Sequence, residues 1–65
     1  MDKELVRTFI YRRLKIYCYN GFVWCGIILN LDENSFVIRD KFQHRVILNY
    51  ADVSSIEDVG AVVGA

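Results

Sequence analysis

The dipeptide Asn20-Gly21 constrains this chain more than any other feature, because both residues tolerate the positive φ of a tight hairpin turn and apolar runs flank them. Before it, Leu14, Ile16 and Cys18 alternate with Lys15, Tyr17 and Tyr19, the period of a half-buried strand. After it, Phe22 to Leu31 form a second strand that returns along the first. Two registers are open. A two-residue loop sets Cys18 opposite Val23 and Tyr17 opposite Trp24, gathering Tyr17, Tyr19, Phe22 and Trp24 on one surface. A three-residue loop with a bulge sets Cys18 opposite Trp24, buries Trp24, Gly26 and Ile28 with Leu14 and Ile16, and turns Tyr17 and Tyr19 outward. Neither places Cys18 against Cys25, so the sequence predicts reduced, packed thiols.

Gly26 lies mid-strand, where the lack of a side chain permits a sharp bend or bulge. Asp32 to Ser35 is a turn, Phe36 to Arg39 a third strand, Asp40 to Gln43 another tight turn, and His44 to Asn49 a fourth strand. After a short break at Tyr50-Ala51-Asp52, Val53 to about Asp58 is the fifth, and residues 59–65 are a short tail. Upstream, Leu5, Val6, Phe9 and Ile10 follow helical spacing, which predicts a helix over about residues 2–12 with Asp2 as its cap. The expected fold is therefore mostly β: one N-terminal helix, then five short strands curled into a small barrel over about residues 14–58.

Size limits what this fold can do alone. A chain of 65 residues is one domain, and a core of this scale leaves roughly 3–5 kcal/mol of stability. One histidine, His44, and two cysteines at a C-x6-C spacing make no recognisable zinc site, so no metal or other cofactor is expected. Self-association remains as reinforcement. Val46, Ile47 and Leu48 form an unbroken apolar run on a prospective edge strand. The expected subunit contact comprises Val46, Ile47, Leu48, Val53 and Ile56, head to tail, closing into a ring.

Charge and composition narrow the class further. Eight basic residues balance eight acidic ones, yet residues 1–30 carry net +3 and residues 31–65 net −3. A ring of such protomers presents a basic face while remaining neutral overall. No run approaches the ~20 apolar residues of a membrane span, and Met1-Asp2-Lys3-Glu4 does not open a signal peptide, so a cytoplasmic protein without a membrane partner is expected. No Ser or Cys lies beside a plausible base, no carboxylates are paired on one element, and no phosphate loop is present. The chain is not expected to be an enzyme.

Gly21-x-x-x-x-Gly26, followed by apolar Ile28 and Leu31 and then Asp32, resembles the first half of the Sm motif. The likeness is to the Sm-like (LSm) superfamily and within it to the bacterial host-factor (Hfq) branch. There, Ile16-Tyr17-Cys18-Tyr19-Asn20-Gly21-Phe22-Val23-Trp24-Cys25-Gly26 is similar to Ile-Tyr-Leu-Val-Asn-Gly-Ile-Lys-Leu-Gln-Gly, and Val53-Ser54-Ser55-Ile56 to a closing Ile-Ser-Thr-Val. The similarity covers about residues 2–58. It implies a helix before a strongly bent five-stranded, SH3-type barrel, rings of six or seven subunits, and RNA as partner; it also favours Trp24 inward, hence the bulged hairpin.

Departures from the pattern shape the functional expectation. The base-contacting Asn of Sm proteins is Phe36 here, the Arg-Gly of the second Sm motif falls on Asn49-Tyr50, and the host-factor Tyr-Lys-His run is not reproduced by Asn49-Tyr50-Ala51. The surface that persists is the purine-stacking one, matched by Tyr17, Asn20, Gly21 and Phe22, with Val23 and Cys25 replacing a Lys and a Gln. The sequence thus predicts a homo-oligomeric ring, a hexamer or heptamer, that contacts single-stranded RNA by stacking at those four residues and by a basic rim of Arg12, Arg13 and Lys15. The alternative is an oligomeric protein-interaction or scaffolding module on the same barrel without RNA binding.

Overall fold

Alternating spacing becomes strand in the computed structural model, which describes residues 1–61. Helix α1 (Lys3–Arg7) precedes β1 (Arg12–Cys18), β2 (Val23–Leu31), β3 (Ser35–Asp40) and β4 (Arg45–Asn49); one turn of 3₁₀ helix (Tyr50–Asp52) leads into β5 (Val53–Ala61). Every strand pair is antiparallel, in the sheet order β4-β3-β2-β1-β5. The mostly β class with one short N-terminal helix and five strands is as expected. Strand β5 runs to Ala61, past the expected end at Asp58, so the start of the expected tail is strand; residues 62–65 lie outside the described residues.

The helix is shorter than residues 2–12. It ends at Arg7, and tighter turns follow, with Phe9 N–H donating to Val6 O (3.0 Å) and Ile10 N–H to Arg7 O (3.3 Å). Residues 8–11 are Thr, Phe, Ile and Tyr, β-branched or aromatic types that lose χ1 freedom in a helix. Tyr11 then adopts φ +66°, which ends the turn and turns the chain into β1. Asp2 occupies the cap position, but its carboxylate makes no cap hydrogen bond. A five-residue helix aims only a narrow strip at the sheet: Val6 is fully buried, while Leu5, expected beside it, is exposed.

The first hairpin takes the bulged, three-residue form. Cys18 N–H donates to Phe22 O (2.9 Å) and Gly21 N–H to Cys18 O (3.0 Å), with Gly21 at φ +93° closing the turn. Cys18 therefore faces Phe22 and Ile16 faces Trp24, two residues from the expected Cys18–Trp24 pair. The facing of the side chains is unchanged by a shift of two, so Leu14, Ile16 and Ile28 are buried as expected and Trp24 is half-buried against them. Cys18 points inward while Cys25, opposite Lys15, points outward, which leaves both thiols free.

Gly26 has a different role from a bulge. A Cβ there would sit 2.3 Å from the backbone O of Arg39, so glycine lets β2 and β3 approach closely. The irregularity in β2 lies further on, where Leu29 is skipped between the Ile28–Ile38 and Asn30–Val37 pairs.

The sheet is unclosed, with β4 and β5 at opposite edges. A flat five-stranded sheet would separate those edges by about 19 Å, four spacings of ~4.8 Å. Only Tyr50–Asp52 joins them, and 3₁₀ helix rises about 2 Å per residue, so the sheet must curl. Leu48 of β4, Tyr50 and Val53 of β5 accordingly share one core with Leu14, Ile16, Ile28, Phe36, Ile38 and Val6. Tyr50 stacks on Phe36 with ring centroids 5.3 Å apart, and its hydroxyl donates to Asp32 O (2.8 Å), tying the β2–β3 turn to the core. Phe36 is fully buried in this core.

Candidate nucleic-acid interface

The outer face of the curled sheet carries the site, because alternation turns every second side chain of β1 to β4 away from the core. One rung across the sheet reads Arg13 on β1, Ile27 on β2, Arg39 on β3 and Arg45 on β4. The next rung sets Lys15 against Cys25, and Lys41 follows in the β3–β4 turn. Arg13, Lys15, Cys25, Ile27, Arg39 and Lys41 line a groove of ≈ 480 Å³. Five of the eight basic side chains thus gather on one face of a chain with zero net charge. Among the described residues none of the five makes an ion pair; Lys41 lies 5.3 Å from the Phe42 ring centroid.

Two carboxylates border this face, and both have other partners. Asp40 Oδ1 accepts from the backbone N–H groups of Phe42 (2.9 Å) and His44 (2.8 Å), which shapes the β3–β4 turn. Glu57, opposite Lys15 on β5, accepts from the Tyr17 hydroxyl (3.0 Å). That hydrogen bond is the leading reason the Tyr17 phenol is held above its ordinary pKa.

The residues expected to contact RNA are divided by the structure. Arg13 and Lys15 belong to the outer face, but Arg12 points the other way and donates to Asp58 (2.8 Å), which lowers the Asp58 pKa. Tyr17 faces outward beside Val23, whereas Phe22 packs over Trp24 at the opposite face, ring centroids 6.4 Å apart. The expected platform of Tyr17 with Phe22 is thus not a single surface: the register puts the two rings on opposite sides. Asn20 Oδ1 accepts from Phe22 N–H (3.0 Å) and, with Gly21, forms the turn. Tyr19 and Phe22 are exposed at the hairpin tip, 75% and 64%.

The expected subunit contact also changes character. Val46, Leu48, Val53 and Ile56 are buried or half-buried against the protomer's own core, since the apolar run in β4 still alternates. Ile47 alone of these side chains is exposed, at 70%. What the edges β4 and β5 offer a neighbour is backbone, with Ile47 beside it.

Sequence reading missed Arg39, Lys41 and Arg45, which lie in the acidic half of the chain. A signal was present: Arg39 and Arg45 lie symmetrically about a three-residue loop, Lys41 to Gln43, one position outside the Asp40/His44 pair, and so face the same way. Compared with models of known protein families, with curated proteins and with solved structures, the chain matches none of them.

Proposed function

We propose that this chain is a homo-oligomeric RNA-binding protein on a strongly bent, Sm-like small barrel, and that the outer sheet face is the surface that meets single-stranded RNA. The observation that carries this reading is the gathering of Arg13, Lys15, Arg39, Lys41 and Arg45 on one face of a neutral chain, with no ion-pair partner among the described residues. Segregation of that kind attracts a polyanion locally without making the whole protein sticky. Exposed Tyr19 at the hairpin tip adds aromatic surface on which bases stack without strict sequence preference. Among the described residues the sheet edges β4 and β5 have no strand beside them, which supports assembly into a ring, each edge completing the next subunit's sheet.

A scaffolding ring without RNA is the second reading, favoured by the commitment of Arg12 to Asp58 and of Tyr17 to Glu57. Salt separates the two. Titration of poly(A) and poly(U) by fluorescence anisotropy is expected to show affinity that falls steeply between low and physiological salt, and light scattering to show a mass several times that of one chain. A monomer in dilute solution removes the ring, and absence of salt-dependent binding to either polymer removes the RNA reading.

A further inference from the structure

Tyr11 holds a conformation that its own chemistry disfavours. Its φ is +66°, the left-handed region that costs an L-residue with a bulky side chain about 1–2 kcal/mol, and a residue kept there marks a position the surrounding fold dictates. Packing does not account for the aromatic ring, which is 72% exposed. Its hydroxyl has no hydrogen-bond partner among the described residues. Tyr11 instead lines a depression of ≈ 360 Å³ together with Ile27, Leu29 and Arg39. Ile27 and Arg39 also line the basic groove, so depression and groove adjoin at those two residues.

The sequence of chemistries along this surface is aromatic face, apolar floor, then guanidinium groups and ammonium groups. That order matches a nucleotide, whose base presents a π-face and whose phosphodiester is an anion. We infer that Tyr11 is a base-stacking residue for single-stranded nucleic acid, with Arg39 and Arg13 holding the adjoining phosphodiester and Lys15 and Lys41 continuing the track. The identity of the ligand rests on the RNA reading above; the placement at Tyr11, distant in sequence from the hairpin tip, goes beyond it. Tyr17 cannot serve equally, being half-buried with its hydroxyl held by Glu57.

Two oligomers of equal length test this by anisotropy: labelled oligoadenylate and an abasic phosphodiester chain. Tyr11→Asn removes the ring but keeps a residue that tolerates positive φ. It is expected to bind oligoadenylate about tenfold more weakly, the scale of one lost stacking contact, while binding the abasic chain as before and showing a thermal midpoint no lower than wild type. Tyr11→Trp should retain oligoadenylate binding. Arg39→Gln should weaken both oligomers and lower the slope of log affinity against log salt by about 0.7, one phosphate contact on a single strand. Undiminished oligoadenylate binding by Tyr11→Asn, with Arg39→Gln still impaired, overturns the stacking role and leaves the RNA reading standing. A wild-type chain that binds neither oligomer overturns both.

Discussion

Arg39 and Arg45 face each other directly across β3 and β4. Asp40 N–H donates to His44 O (2.9 Å), which makes 40/44 the hydrogen-bonded pair. The arginine pair is therefore of the non-hydrogen-bonded kind, with Cα atoms about 4.5 Å apart and side chains closest. Like charges so placed are destabilising, on the order of 0.2–1 kcal/mol. Arg45→Gln is expected to stabilise the protein by an amount in that range, at its lower end because both groups are exposed. Urea unfolding checks it, and the same variant should lose affinity for oligoadenylate. A variant less stable than wild type would contradict the repulsion.

Gly26→Ala is expected to cost about 3 kcal/mol, because the added methyl would meet backbone that can yield only by parting two strands. The Cβ position lies 2.3 Å from Arg39 O and 3.0 Å from Arg39 C. Circular dichroism during urea titration measures the loss. A cost under about 1 kcal/mol would mean that β2 and β3 separate easily there.

The two three-residue hairpin loops invite opposite substitutions. Each ends on a residue at positive φ: Gly21 at +93° and Gln43 at +68°. Open space surrounds Gly21, so Gly21→Ala suffers only the conformational cost, about 1 kcal/mol. Gln43→Gly relieves the corresponding strain, and after the greater freedom of glycine in the unfolded chain a net gain of about 0.5 kcal/mol is expected. Thermal unfolding of both variants decides it: a lower midpoint for the first and a higher one for the second.

Acid should loosen the join between β1 and β5. Asp58 accepts from Arg12 and from the Gly60 backbone N–H (3.0 Å), and the Arg12 bond is the leading cause of its lowered pKa. A depressed carboxylate stabilises the fold fully above its unfolded pKa, ~3.9. That contribution fades as pH falls through the folded value. The thermal midpoint of wild type should exceed that of Asp58→Asn at neutral pH, and the two curves should converge below about pH 4. A gap that stays constant down to pH 3 would show that the ion pair is not its source.

Particular residues show where sequence reading reached and where it stopped. Leu14, Ile16 and Ile28 were placed in the core by alternation, and Val53 began its strand after the Tyr50-Ala51-Asp52 break, because period and turn residues are local properties. The end of the helix at Arg7 was not legible, since helical spacing of Phe9 and Ile10 also fits the tighter turns that bring both onto the core. Val46, Ile47 and Leu48 read as an edge run to be covered by a neighbouring subunit, yet Val46 and Leu48 pack on the protomer's own core, since an apolar run does not say which residues alternate inward.

The sequence by itself determined the order of one helix and five strands, the turns between them and the identity of most core positions, all of which depend on neighbours a few residues apart. Only the tertiary structure decided which charges meet: the β2–β3–β4 register brings Arg39 and Arg45 onto the same face as Arg13, and the chain turn at Tyr11 places that residue on a depression shared with Arg39. Register and curl are collective results of packing every strand on one core, so they belong to no short segment of the chain.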